Sequence, residues 1–257
     1  MKFRTLFTLA TAVGLTTFSY ANQADDNKQF DKGYEAVMDG SLQKAFEIWL
    51  PLAEKGHLDA MDKIGEMYLA GMGVAQDNQK GLEWLEKAAK GGNHFTRLML
   101  GERYISGMDL PKDLDKAIYW YKLALEQGGE QTEDAHFGLG KAYMEQEKYE
   151  LAVVHLAKVA EERIGESGYL LGQLYEQGKG VKQDLHKAFE LYLGAETPEA
   201  YLRLGEMTAQ GIGIERDPNK AKVYFQEVLN YTEPYIAENE DFRILHEQAK
   251  AGLAKIK

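Results

Sequence analysis

At 257 residues the chain is longer than one compact core usually supports, a length that a repeat protein reaches without any central core. Apolar residues make up 44% and charged residues 28%, with only 5 prolines, which excludes a disordered chain. Acidic residues outnumber basic ones 41 to 30, and the net charge of -11 argues against nucleic-acid phosphates and anionic lipid heads as partners. With no cysteine anywhere, disulfides, thiolate metal sites and cysteine nucleophiles are excluded together.

In chain order, Lys2 and Arg4 precede an apolar stretch from Leu6 to Leu15, and Ser19-Tyr20-Ala21 follows with small residues where a signal peptidase reads. This pattern predicts a cleavable signal peptide over 1–21 and export, to the periplasm or beyond the cell. The apolar run falls short of the ~20 residues a spanning helix needs, so no stable membrane insertion is expected after cleavage. Over 22–59, Gly33-Tyr34, Ala36, Leu42, Ala45 and Trp49-Leu50-Pro51-Leu52-Ala53 read as a degenerate first helix pair, with Pro51 kinking the second helix.

From residue 60 a block recurs: Ile64-Gly65-Glu66-Met67-Tyr68, Leu100-Gly101-Glu102-Arg103-Tyr104, Leu139-Gly140-Lys141-Ala142-Tyr143, Leu171-Gly172-Gln173-Leu174-Tyr175 and Leu204-Gly205-Glu206-Met207-Thr208. Four of the five blocks are followed by a second one, in which Asp77, Asp113, Asp184 and Asp217 precede Gly81, Ala117, Ala188 and Ala221 by four residues and a large apolar pair by seven and eight. That spacing is a helix face, with the aspartate as N-cap and the small residue where another helix passes closely. The glycine of the first block stands where a Cβ would obstruct the neighbouring helix, an advantage that offsets the ~1 kcal/mol cost of glycine inside a helix. Between the blocks, Gly71-Met72-Gly73-Val74, Gly178-Lys179-Gly180-Val181 and Gly211-Ile212-Gly213-Ile214 supply a left-handed helix end and then a tight turn. They end helices rather than strands, so they are not nucleotide loops. Successive repeats occupy about 60–93, 94–130, 131–165, 166–198 and 199–231, and 232–257 reads as a linker and a capping helix whose apolar face is Phe242, Leu245, Ala249, Leu253 and Ile256.

Gly65 to Tyr68, the Gly71-Met72-Gly73-Val74 turn, Asp77 and Trp84 to Gly91 resemble the Sel1-like repeat (SLR), a relative of the tetratricopeptide repeat. The resemblance covers roughly Phe30 to Tyr231 and implies an all-α fold, a right-handed α/α superhelical solenoid of about six helix-turn-helix repeats with a C-terminal cap. Three departures stand out. Asp109 replaces the second turn glycine of the third repeat, Thr208 replaces the last tyrosine, and the fourth repeat runs 9 residues from Tyr143 to Ala152 where the others run 13. That shorter unit looks more like a tetratricopeptide repeat.

No pattern calls for chemistry. The six histidines include no pair at metal-binding helical spacing, and Gly165-Glu166-Ser167-Gly168 lacks the strand that a nucleophile elbow needs, so no catalytic residue, metal or cofactor is assigned. Trp49, Trp84, Trp120, Tyr121, Tyr192, Tyr224 and Phe225 read as core rather than as a stacking stripe for ligands. In tetratricopeptide-like solenoids the first helices line the concave groove, and the resemblance points to Asp62, Glu66, Leu98, Glu102, Phe137, Lys141, Tyr169, Gln173, Leu202 and Glu206 on that face. The expectation is an exported, non-enzymatic scaffold that binds a protein or peptide there, as an adaptor in envelope or signalling processes. The alternatives are a beta-lactamase-like hydrolase, whose SLR examples depend on paired cysteines that this chain lacks, and a self-assembling structural protein.

Overall fold

The computed structural model describes residues 24–128, 132–162 and 165–256, so the signal-peptide segment and Lys257 lie outside the described residues. Among those residues the fold is all-α, 79% helical in thirteen consecutive helices without a strand. Contacts divide the chain into two compact units, one ending at Lys112 and one beginning at Asp113.

The first unit holds α1 (24–38), α2 (Leu42–Glu54), α3 (Leu58–Ala70), α4 (Asn78–Gly91) and α5 (His94–Ser106). Its core joins Ala36, Ala45, Trp49, Leu52, Ala60, Ile64 and Met67, with Trp84 packed against it half-buried. Trp49 lies against Gly33, where an added Cβ would come within 2.0 Å of the indole, and its Nε1 donates to the Phe30 carbonyl at 2.9 Å. The helix α2 continues through Pro51 to Glu54. Pro51 stands in its last turn, where the helix has little length left to distort.

The second unit holds α6 (Leu114–Gln127), α7 (Thr132–Glu145), α8 (Tyr149–Glu162), α9 (Gly165–Gln177), α10 (Leu185–Ala195), α11 (Pro198–Gln210), α12 (Pro218–Thr232), a 3-10 turn (Glu233–Tyr235) and α13 (Glu240–Lys255). Each helix packs on the next, and α13 also packs on α11. The cap helix buries Ala249 against Ala221, Phe225 and Val228, with Leu245, Leu253 and Ile256 around it. The helix α12 runs through Tyr231 to Thr232, one residue beyond the bound expected for the last repeat.

The local devices expected from the repeat are present in both units. Asp77, Asp113, Asp184 and Asp217 each accept the N–H three residues on at 2.9–3.0 Å, which satisfies one orphan donor of the second helix. The second turn glycine has a structural reason beyond its positive φ. An added Cβ on Gly73, Gly180 or Gly213 would meet the backbone of Leu42, Tyr149 or Leu185 within 2.7 Å, and each of these is the first residue of the preceding second helix. Asp109 cannot make that approach; it has no positive φ, and its carboxylate instead takes the guanidinium of Arg103. In the shortened repeat the turn between α7 and α8 is closed by Glu147 in the left-handed region, with φ 58°.

Candidate functional site

The expected groove residues belong to the first helices of their repeats, α3, α5, α7, α9 and α11, and they fall into three groups by what surrounds them. Asp62 is buried and is a correction: it accepts from Thr96 Oγ1 at 2.7 Å and from Lys63 Nζ at 3.1 Å, so it ties α3 to α5 and offers nothing to a partner. Its register position resembles the others, but Thr96 in the next helix draws the carboxylate inward. Glu102 is exposed on α5, whereas Leu98 is half-buried there. Leu202 packs against the α12 and α13 core.

The second group is held by side-chain partners. On α7, Lys141 Nζ lies 5.4 Å from the centroid of the Phe137 ring, a cation–π pair. On α9, Tyr169 packs against Tyr192 with centroids 5.8 Å apart; burial pushes its hydroxyl pKa up, opposed by a hydrogen bond with Gln173.

The third group joins two ion-pair networks that sequence reading missed. In the first unit Glu66 takes Arg103 at 2.6 Å, and Arg103 also reaches Asp109. Burial raises the Glu66 carboxyl pKa and Arg103 opposes it, yet with the help of the Asp62 charge the value stays above the usual range. In the second unit Arg203 spans two helices: its Nε lies 3.0 Å from both carboxylate oxygens of Glu176 on α9, and its Nη1 donates to Glu206 at 2.6 Å. Tyr192 also donates to Glu176, at 2.8 Å. Burial pushes the Glu176 carboxyl up, but the hydrogen bonds from Arg203 and Tyr192 together with the Arg203 charge outweigh it and hold the pKa below the usual 4.5.

That sign sets a prediction. A depressed carboxyl pKa contributes stability above pH 4.5 that is lost as the pH falls through the folded-state value. Arg203→Ala leaves Glu176 with burial and no cation, so stability is expected to drop by about 2 kcal/mol at pH 7, discounted for partial exposure. The deficit should shrink as Glu176 protonates in both proteins, and urea unfolding at pH 7 and pH 3 measures it. An equal deficit at both pH values would assign the loss to packing of the arginine stem.

Each network borders a cleft. In the first unit a cleft of about 180 Å³ is floored by Val37, Leu42 and Met67, flanked by the exposed Tyr34 and Met72, and rimmed by Lys63 and Glu66. In the second, Glu206 and Arg216 border a cleft of about 450 Å³ between α11, α12 and α13, with Phe225, Ala251 and Ile256 among its walls. Glu66 and Glu206 are therefore two expected groove residues that stand beside concave space. Tyr34, Val37, Leu42 and Met72 could not be grouped from sequence because they come from two helices and a turn that only folding brings together.

Thr232, His246 and Glu233 have the outline of a triad, with Thr232 Oγ1 2.9 Å from His246 Nδ1 and Glu233 Oε2 3.3 Å from Nε2. Thr232 is fully buried, however, and its hydroxyl donates to the Val228 carbonyl at 2.8 Å, so its proton is committed and no substrate reaches it. The array instead ties α13 to the end of α12. Ser167 is buried in the first turn of α9. Among the described residues no group of three or more His, Asp or Glu is arranged to hold a metal ion, and no helix is long and apolar enough to cross a membrane.

Comparison with known proteins agrees with this repeat architecture. The Sel1 repeat family pattern matches residues 58–93, 97–129, 166–194 and 198–227. Among solved structures, a protective antigen present in uropathogenic Escherichia coli strains, displaying an SLR fold, is 27% identical with a TM-score of 0.68 over 81% of this chain. The match spans 46% of that protein's own length. A Sel1 repeat protein from Oxalobacter formigenes is 21% identical with a TM-score of 0.65, covering 96% of this chain and 82% of its own. No curated protein matches the sequence significantly. The Sel1-repeat scaffold is an architecture suited to protein–protein interaction. Four matched repeats, the Asp caps and turn glycines that repeat with them, and the two SLR folds give one result: the chain belongs to the Sel1 repeat family.

Proposed function

We propose that this protein is an exported scaffold, acting in the periplasm or outside the cell, that binds a segment of another protein on the first-helix face and catalyses no reaction. The observation that carries the reading is the cleft of the first unit. Tyr34 and Met72 remain 44% and 40% exposed at its edge while Val37, Leu42 and Met67 form an apolar floor, and the Glu66–Arg103–Asp109 network fixes one rim. A rigid, charged rim around an apolar recess orients a peptide while its apolar side chain supplies the affinity. Methionine suits such a surface because its unbranched, polarizable side chain adapts to what it meets. The net charge of -11 favours a protein partner over a nucleic acid.

A photo-activated cross-linking residue placed at Tyr34 or Met72 of the full chain, in producing cells, tests this directly. One defined protein should be captured at these positions and not from Glu83, which is exposed on α4. Met72→Asp should reduce capture from Tyr34 by about tenfold, the cost of putting a charge into an apolar recess. Recovery of the uncross-linked chain alone under all growth conditions would sink the reading.

A further inference from the structure

In the helix pair α7 and α8, His136 and His155 face one another with their Nδ1 atoms 2.7 Å apart. Their ring centroids are 5.0 Å apart, so the two nitrogens point at each other along the line between the rings. The register makes this pair unusual. Counting three residues on from the small residue of each second helix gives Trp84, Trp120, His155, Leu191 and Tyr224; counting four back from each first-helix glycine gives Met61, Arg97, His136, Gly168 and Tyr201. Tyr201 and Tyr224, the equivalent pair in the last repeat, stack with centroids 6.5 Å apart. Met61 and Trp84 pack on one apolar core in the first unit. The titratable pair thus stands where those two repeats have an aromatic or apolar contact, and it does so in the helix pair that the family pattern leaves unmatched between residues 129 and 166.

We infer that the His136–His155 pair is an acid-operated latch that holds α7 on α8 at neutral pH and releases that helix pair when both imidazoles become cationic. Proton bookkeeping follows from the geometry. In the neutral pair one ring donates its Nδ1–H and the other, protonated on Nε2, accepts on its bare Nδ1. A first added proton goes to the free Nε2 of the donor ring and leaves the bond intact. The second has only the accepting Nδ1 to occupy, and two N–H groups then face each other with two positive charges behind them.

The surroundings favour release over a new ion pair. Lys158 of α8 acts on both rings and Lys122 of α6 on His155, while Tyr143 of α7 stacks on the His155 ring at 5.6 Å. From α9, which also packs on α8, no charge is among those that act on either ring. Burial first, then for His155 the facing His136 ring, and then these cations hold both imidazoles below the usual 6.5, His155 at about 4. A depressed histidine pKa contributes stability that is complete above pH 6.5 and is lost as the pH falls toward 4. The two lysines also disfavour a divalent cation between the rings.

The test is amide hydrogen exchange of the full chain between pH 7.5 and 4, with protection factors in α7 and α8 referred to those in α3 and α4. Protection in α7 and α8 should fall by about tenfold or more on acidification, and the variant H136Y/H155Y, which copies the Tyr201 and Tyr224 pair, should not show that fall. An equal acid response in the variant would overturn the latch. Should the variant not fold, ring-nitrogen NMR titration of the wild-type chain decides: both imidazoles titrating below 6.5 support it, and either one at or above 6.5 overturns it.

Discussion

Replacing Gly180 by Ala is expected to destabilise the second unit by about 3 kcal/mol, more than any surface substitution in the chain, through two additive costs. Gly180 has φ 68°, and an alanine held there costs about 1 kcal/mol because its Cβ crowds the following carbonyl. The larger cost is steric. The new Cβ would stand 2.3 Å from the Tyr149 carbonyl carbon and 2.5 Å from the Glu150 nitrogen, backbone atoms in the first turn of α8 that no rotamer change can move. The turn must lift off α8, and about 2 kcal/mol is the usual cost of such overpacking. Gly178 is the internal control. It has nearly the same φ, 66°, but its added Cβ meets Gln183 alone, the Cβ at 3.2 Å and the backbone nitrogen at 3.4 Å, contacts that relax within a few tenths of an ångström. Gly178→Ala should therefore cost about 1 kcal/mol. Urea unfolding of both variants, with hydrogen exchange across α8 to α10, separates the two costs; equal losses would mean that φ alone requires glycine at Gly180.

The glycines were legible in the sequence because their role repeats. The Gly-x-Gly spacing recurs, and each instance precedes an aspartate cap, so helix end, turn and helix start could be read together. What the second glycine touches was not legible, since Tyr149 precedes Gly180 by a whole helix pair. The same limit hid a second device of the turn. Gln76, Gln183 and Arg216, each just ahead of its aspartate, donate to the Leu69, Glu176 and Ala209 carbonyls at 2.8–3.0 Å. The shared element is a side-chain donor rather than a residue type, so the pattern escapes a search by identity.

The candidate site was less readable than the fold for the same reason. Groove residues were placed by register, and register gives the direction of a side chain from its helix without giving its partner. Asp62 and Glu66 are one turn apart, yet Thr96 draws Asp62 into the interior while Arg103 holds Glu66 at a cleft rim. His136 and His155, 19 residues apart, carried no metal-like spacing and so no signal. Their meeting follows from the register of the helix pair, the same one that stacks Tyr201 on Tyr224, and it takes the packing of α7 on α8 to bring the two rings together.

Trp49→Ala should be the most damaging single change in the first unit, at about 3–5 kcal/mol. The indole is 2% exposed and fills three roles. It covers Gly33 so closely that α1 tolerates no side chain there, it meets Tyr34 edge-on with centroids 5.3 Å apart, and it donates to the Phe30 carbonyl. Alanine leaves a cavity that the glycine side of α1 cannot fill, because Gly33 has no side chain to move into it. The loss should therefore appear first as lost exchange protection in α1 and α2. Trp49→Phe keeps most of the apolar volume and removes the Nε1–H, and should cost about 1–2 kcal/mol through the carbonyl left without its donor. Because Tyr34 rests edge-on against Trp49 and both line the cleft, Trp49→Ala should also abolish cross-linking from Tyr34 under conditions where the rest of the unit stays folded. If capture survives while α1 loses its exchange protection, the partner is held by the α3 side of the cleft alone, and Tyr34 is a bystander.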